Sequence, residues 1–376
     1  MKRSQPERDA VGASVLRVGI AGQGRSGHDI HVRNLLLLKD RYRIAAVADE
    51  LPERRRQAAR DYGVKAHGDY KALIREGGFD LFVNALPSHL HVPATLEALA
   101  AGYHVLCEKP LAATVAEVDR MVAAARKARR ILAPFQNNRM QPFFIKIREI
   151  VDSGVLGEIL HIRSVWGGFS RRWDWQTLRR YMGGCLHNTG PHALDQALAL
   201  IGFDKAPKVF CRMLCRNPLG GDADDFCDVT LHGPNMPLVE VLITQYRAYP
   251  AGHLYDISGR YGSLTASHRE IRLKYYDPAK APRQRFWRRW SKDRQYPRET
   301  LPWVEKKIAV KVDEAEPTSG YTLRSFGCGA QFVYNNLHAA ITRGAPLEIN
   351  ASQVRRQIAV IEECRRQNPH IWRGYW

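Results

Sequence analysis

Short apolar, β-branched runs recur at a regular beat along the first third of the chain. They lie at 15–22 (VLRVGIAG), 43–49 (RIAAVAD), 80–87 (DLFVNALP), 104–110 (HVLCEKP) and 131–138 (ILAPFQNN). Between them apolar positions fall at helical spacing over 27–39, 52–62, 90–101 and 114–129. The last of these opens Thr114-Val-Ala-Glu117, a spacing in which Thr and Glu side chains satisfy backbone amides at a helix start. Alternating short strands and helices predict βαβ units and a parallel sheet covered on both faces. After about residue 137 the beat changes. A helix at 142–154 and a strand at 157–169 are followed by a helix ending near 201, then strand-like runs with no helices between them. Helical patterns near 327–343 and 351–367 close the chain. Consecutive strands predict a mainly antiparallel sheet. The expected organisation is a disordered lead-in at 1–14, a doubly wound α/β domain at 15–137, and an α+β domain at 138–376 with an open, mostly antiparallel sheet. A basic, aromatic insertion at 276–311 interrupts that second domain.

The first strand runs into Gly22-Gln23-Gly24-Arg25-Ser26-Gly27, which opens the first helix. G-x-G-x-x-G in this strand-to-helix context is a dinucleotide fingerprint. The first glycine allows the tight turn, the second lets a pyrophosphate approach the backbone, and the helix N-terminus offers amides and a positive dipole end. The competing reading is a purely structural turn. The second strand ends in Asp49, placed to bond a ribose diol and to repel a 2′-phosphate. NAD is therefore expected over NADP. Arg54, Arg55 and Arg56 argue the other way, since arginine pairs with phosphate.

Length and charge narrow the class. A chain of 376 residues implies two domains. No apolar run approaches the ~20 residues that cross a bilayer, and the polar N-terminus has no apolar core of a secretory signal, so a cytoplasmic, membrane-free protein is expected. Seven scattered cysteines with no C-x-x-C pair argue against a disulfide framework and against a metal site; Cys211 and Cys215 read as buried thiols on one strand face. The net charge of +19 is compatible with a nucleic-acid partner, but no nucleic-acid-binding module is readable, and none is expected to bind.

One further stretch carries chemistry: GGCLHNTGPHALD, 183–195. It reads as a glycine turn and a helix start, with Asn188 and His192 four apart and so on one helix face. Its histidine is either a neutral residue of a helix cap or a catalytic base. Asp195, three residues further on, is either an orienting group or a surface charge.

Together VGIAGQGRSG, VNALPSHLHVPATLEALAAGYHVLCEKPLA and GGCLHNTGPHALD resemble the Gfo/Idh/MocA oxidoreductases, over roughly residues 15–202 and more weakly in the last fifty. The resemblance implies a Rossmann domain, a second domain built on a mostly antiparallel sheet, NAD or NADP as cofactor, and redox chemistry at a carbon of a sugar, sugar acid, glycoside or inositol. It implies a homo-oligomer, dimer or tetramer, assembled through that sheet. It makes Lys109 the active-site lysine and His192 the general acid/base, with Asn188 beside them, and allows a cis Lys109–Pro110 bond. Leu86, Pro87, His89, His91 and Glu108 are placed near the cofactor, although either histidine could equally be an ordinary loop residue. The residue types suit these roles. Lys109 follows a parallel strand, where open α/β sheets put their ligands, and can stabilise charge on a substrate oxygen. Imidazole has a pKa suited to proton transfer.

There are departures from the family pattern. Asn188 stands where aspartate is frequent and cannot hold charge or relay a proton. Asn138 stands where arginine is common, with Arg139 beside it, suggesting a neutral polyol contact and leaving an acidic substrate open. Trp166, Trp173 and Trp175 could stack on sugar C–H faces or simply pack in the core, and Gln176 replaces an arginine that relatives carry beside the tryptophan. Two other functions remain: a redox-neutral enzyme that oxidises transiently and retains NAD, and a non-catalytic sugar and NAD sensor.

Overall fold

The computed structural model describes residues 15–249, 252–285, 296, 298–311 and 323–374. The expected lead-in at 1–14, and residues 286–295 and 297 of the basic segment, lie outside the described residues. The chain divides into two compact units. One comprises residues 1–108, 120–135 and 330–350; the other comprises 109–119, 136–329 and 351–376.

The first unit holds a six-stranded parallel sheet of β1 (Leu16–Ala21), β2 (Tyr42–Ala48), β3 (Lys65–His67), β4 (Leu81–Asn84), β5 (His104–Cys107) and β6 (Leu132–Pro134). Its order, β3-β2-β1-β4-β5-β6, is that of a doubly wound sheet, and every pairing is parallel. Because helices cover both faces, the strands are buried on both sides: all four residues of the inner strand β4 and all three of the edge strand β6 are buried. Two elements escaped the sequence pattern, the edge strand β3 and the helix Tyr70–Glu76. Both are short, and β3 carries Lys65 and His67, so neither forms a long apolar run. The first helix begins as wide π turns over Arg25–Val32 before an α turn at Arg33–Leu37. Residues 330–350 return to this unit, where the Tyr42 hydroxyl donates to the Tyr334 carbonyl at 2.7 Å.

The second unit is built on eight strands: β7 (Ile159–Gly167), β8 (Lys208–Leu214), β9 (Phe226–His232), β10 (Leu238–Thr244), β11 (Tyr255–Gly259), β12 (Gly262–Ala266), β13 (Glu270–Tyr276) and β14 (Trp303–Ala309). Their order is β14-β13-β12-β11-β7-β10-β9-β8, antiparallel except for β7 against β10. Period-two alternation sets the two faces. One cross-strand row, Cys211-Val229-Val241-Ser164-Tyr255-Ala266-Ile271, is buried. The adjacent row, Phe210-Thr230-Glu240-Arg163-Asp256-Thr265-Arg272-Lys307, faces the other way and is mostly polar. The β8 edge is closed by side chains: Gln367 and Asn368 accept from the Cys211 and Met213 amides and donate to the Val209 and Cys211 carbonyls. Among the described residues no helix is long and apolar enough to cross a membrane.

Candidate active site

In the first unit the loops after β1 and β4 meet where the strand order reverses. A Cβ on Gly22 (φ +92°) would lie 2.3 Å from the Ala85 carbonyl oxygen, and one on Gly27 would lie 1.8 Å from the Gly22 carbonyl oxygen. Those two glycines are therefore fixed by backbone packing. Gly24 differs: a Cβ there would meet only the tip of Arg54, at 3.7 Å. Gly24, Arg25 and Ser26 reach solvent while Gly22, Gln23 and Gly27 are buried, and no side chain caps the helix that follows. The open Gly24 backbone and the uncapped helix start form a cradle that fits a pyrophosphate.

Asp49 lies just past β2, and its side chain turns toward the glycine loop. Oδ2 accepts from the Gln23 amide at 2.7 Å, and Oδ1 accepts from the Leu51 amide at 2.9 Å. Arg54 approaches the same carboxylate at 3.4 Å and is itself partly exposed. Asp49 thus links the glycine loop to the end of β2. Leu86 and Pro87 are half-buried, and His91 is buried with Nε2 2.9 Å from the Leu86 carbonyl oxygen, so its ring shapes the loop after β4. Glu108 is buried within 3.3 Å of His31 Nε2, and His31 Nδ1 lies 2.8 Å from the Tyr334 hydroxyl. This triplet was invisible in the sequence, because Glu108 lies 77 positions from His31 and Tyr334 lies 303, and only the fold brings them together.

In the second unit Lys109, joined to Pro110 by a cis bond, sends its ammonium to Asn188. Nζ donates to the Asn188 backbone oxygen at 2.9 Å and to its Oδ1 at 3.1 Å. The expected single helix through Asn188 and His192 is broken. A one-turn helix, Cys185–Asn188, ends at Thr189, and a second runs Gly190–Ile201. Pro191 has no N–H to give the His187 carbonyl, so the ladder is interrupted there. The His192 amide instead reaches back only to the Thr189 carbonyl, at 3.0 Å. Asn188 and His192 are therefore not i and i+4 on one continuous helix.

Burial separates the histidines of this stretch. His187 is fully buried with its ring edge-on to Trp372 at 4.7 Å, and burial drives it down to about 3. His192, like Asn188 and Lys109, is only half-buried. Asp195 is not a surface charge. It is 1% exposed and pairs with Arg139, which is 3% exposed, through an Nε–Oδ2 bond of 2.7 Å. Arg139 also donates to Gln353 and stacks on Phe203, so its guanidinium is spent on the protein interior rather than presented to a substrate. Burial pushes the Asp195 carboxyl up, and the Arg139 charge opposes that. Asn138 is buried and its backbone oxygen accepts from Gln196 at 2.6 Å. Of the tryptophans, Trp166 is packed in the core against Tyr255, whereas Trp173 is exposed and Trp175 stands partly exposed, edge-on to Tyr181. Where relatives were expected to carry an arginine, Gln176 accepts a hydrogen bond from Arg172, four residues earlier.

The family profile described as "Oxidoreductase family, NAD-binding Rossmann fold" matches residues 16–135, and that described as "GFO/IDH/MocA C-terminal domain" matches residues 144–265. The chain belongs to the Gfo/Idh/MocA family. Inositol 2-dehydrogenase 1 of Saccharopolyspora erythraea is 37% identical over 153 residues, 40% of this chain and 45% of that protein. D-glucoside 3-dehydrogenase of Escherichia coli is 31% identical over 212 residues, 54% of this chain and 58% of that protein. The chain thus spans about half the length of the curated relatives it matches. An oxidoreductase from Agrobacterium radiobacter, solved with NAD+, L-tartaric acid and magnesium, shares the fold with a TM-score of 0.75. The match covers 94% of this chain and 96% of that one at 20% identity. As a Gfo/Idh/MocA protein the chain carries an NAD(P)-binding Rossmann domain and a second, mostly antiparallel sheet.

Proposed function

We propose that this Gfo/Idh/MocA protein is an NAD-dependent dehydrogenase that moves a hydride between nicotinamide and a carbon of a sugar, sugar acid, glycoside or inositol. The observation that carries the reading is the Lys109 ammonium, held by both oxygens of Asn188 on the element that leads into His192. The named activities of the inositol and glucoside dehydrogenases support the substrate class.

Gly22 to Gly27 would hold the cofactor's pyrophosphate and Asp49 its ribose, with Leu86, Pro87, His91 and Glu108 shaping the wall beside them. Bound there, nicotinamide supplies the hydride acceptor for oxidation and the donor for reduction. His192 takes the hydroxyl proton of the substrate in oxidation and returns it in reduction. Lys109 donates to the same oxygen as negative charge builds on it. Asn188 orients the ammonium without adding a charge, which leaves Lys109 a stronger electrostatic partner for the reacting oxygen than a carboxylate neighbour would. Trp175 offers a partly exposed ring for a sugar C–H face. Assembly as a homo-oligomer through the exposed face of the eight-stranded sheet belongs to the same proposal.

The test mixes the pure protein with NAD and a panel of polyols, sugars and sugar acids, and follows reduced nicotinamide by absorbance. Turnover of at least one member, abolished in Lys109→Ala and His192→Ala with NAD binding retained, is the expected result. If no member of the panel is turned over, or both variants keep wild-type rates, the reading fails.

A further inference from the structure

The turn that presents Asn188 does not hold itself in place. Cys185–Asn188 is a single helical turn, and its N-cap, Gly184, has no side chain to cap it. A lone turn orders several residues for one internal bond and needs support from outside. That support comes from Asp224, at the approach to β9. Its backbone oxygen accepts from the Cys185 amide at 2.7 Å, and its Oδ2 accepts from the Leu186 amide at 2.8 Å. Space is reserved for the carboxyl: a Cβ on Gly184 (φ +96°) would lie 2.3 Å from Asp224 Oδ1. Asp224 is 1% exposed, and its Oδ1 has no hydrogen-bond partner among the described residues. The next residue, Asp225, is also buried, but points elsewhere, accepting from the Arg216 amide at 2.8 Å and the Tyr246 hydroxyl at 2.6 Å.

We infer that Asp224 is a positioning residue of this site: by gripping the first two amides of the turn 185–188 it sets where Asn188, and through Asn188 the Lys109 ammonium, stand. The inference rests on the functional reading of Lys109 and Asn188 given above. Three hydrogen-bonded links connect the buried carboxyl to the ammonium, all within the second unit. A neutral cap would serve a merely structural turn as well. The buried carboxyl does something more, because burial brings its titration to about 7, against the pull of the Leu186 amide. The ionisable groups facing it are Asp225, Cys185, Cys211, Cys215, Cys227 and Cys364, none of them a cation. Ionisation turns the bond to Leu186 into a charge-assisted one, about twice as strong. The grip on the turn therefore tightens across neutral pH.

The experiment compares full-length wild type, Asp224→Asn and Asp224→Ala. The readout is the rate at which an amine-acylating reagent labels Lys109, followed against pH by peptide mass spectrometry, with NAD affinity as the control for folding. The alanine variant, lacking the side-chain acceptor, is expected to label about threefold faster or more, the effect of one lost hydrogen bond of modest strength. The asparagine variant keeps an acceptor but cannot ionise. Its Lys109 profile should lose an inflection near neutrality that wild type shows. Where turnover is measured, Asp224→Ala should lower kcat with the KM for NAD unchanged. Identical labelling profiles in wild type and Asp224→Asn overturn the inference, even if the alanine variant does not fold. The predicted labelling without turnover of any sugar or polyol leaves the inference standing and removes the dehydrogenase reading instead.

Discussion

Lys109 Nζ donates to both the backbone oxygen and Oδ1 of Asn188, at 2.9 and 3.1 Å, and both acceptors are neutral. A carboxylate in place of the amide favours the ammonium over the free amine. Asn188→Asp is therefore expected to move the Lys109-dependent limb of the pH–rate profile upward, by about one unit or more. Asn188→Ala keeps the backbone acceptor and should cost about tenfold in kcat, the worth of one bond to a charged group. A limb that stays in place in Asn188→Asp would show that Lys109 does not set it.

His192→Ala should lower kcat/KM by about 10²- to 10⁴-fold, the usual worth of a general acid/base, with NAD affinity unchanged. His187→Ala should behave differently. Removing a ring packed edge-on against Trp372 opens a buried cavity, and the loss should appear in Tm. Steady-state kinetics and thermal melts on the same two variants separate the roles.

Asp49 binds the Gln23 amide with the same carboxylate proposed to meet the ribose, and Arg54 stands 3.4 Å from it. Asp49→Asn keeps an acceptor for Gln23 but drops the charge that repels a 2′-phosphate, leaving Arg54 to attract one. The ratio of NADP to NAD affinity, measured by calorimetric titration, should rise about tenfold or more, one lost charge repulsion at partial exposure. Arg54→Ala in the same background should reverse the gain. An unchanged ratio would remove Asp49 from cofactor selection.

The buried Arg139–Asp195 pair makes a stability prediction. Breaking it strands a charge, so Asp195→Ala should destabilise by about 3–5 kcal/mol in denaturant titrations. Replacing both partners, as in Arg139→Met with Asp195→Leu, should recover most of that loss, because no unpaired charge remains. A double variant as unstable as the single one would mean that packing, not charge, dominates there.

Asp224 makes stability fall with rising pH. Its carboxyl titrates near 7 in the folded chain against an ordinary value of 3.8, so between those values the folded state binds the extra proton. That contribution is fully favourable below the ordinary value and is lost as pH rises through 7. Asp224→Asn removes the dependence. Its unfolding free energy relative to wild type should climb from pH 4 to 7 by up to a few kcal/mol, at about 1.4 kcal/mol per unit, and then level off. A difference that does not vary with pH would refute the assignment.

Much of the architecture was legible in local pattern. Unbroken apolar strands between amphipathic helices meant a covered parallel sheet, and successive alternating strands meant an antiparallel one, because side-chain periodicity is a property of a few neighbouring residues. The fingerprint from Gly22 to Gly27, Lys109 at the end of the fourth apolar run, and the stretch 183–195 were likewise local words. Tertiary structure decided what sequence spacing cannot carry. Pro191 split a helix that apolar spacing joined, with the break falling between Asn188 and His192. Arg139 and Asp195, read separately as substrate contact and possible surface charge, found each other in the core across 56 positions. His31, Glu108 and Tyr334 met in one unit, and Asp224 came beneath the turn of Asn188. Burial and long-range hydrogen bonding depend on which distant segments the fold packs together. GGCLHNTGPHALD announces its histidines by itself; only the packed chain separates the buried His187 from the solvent-reaching His192.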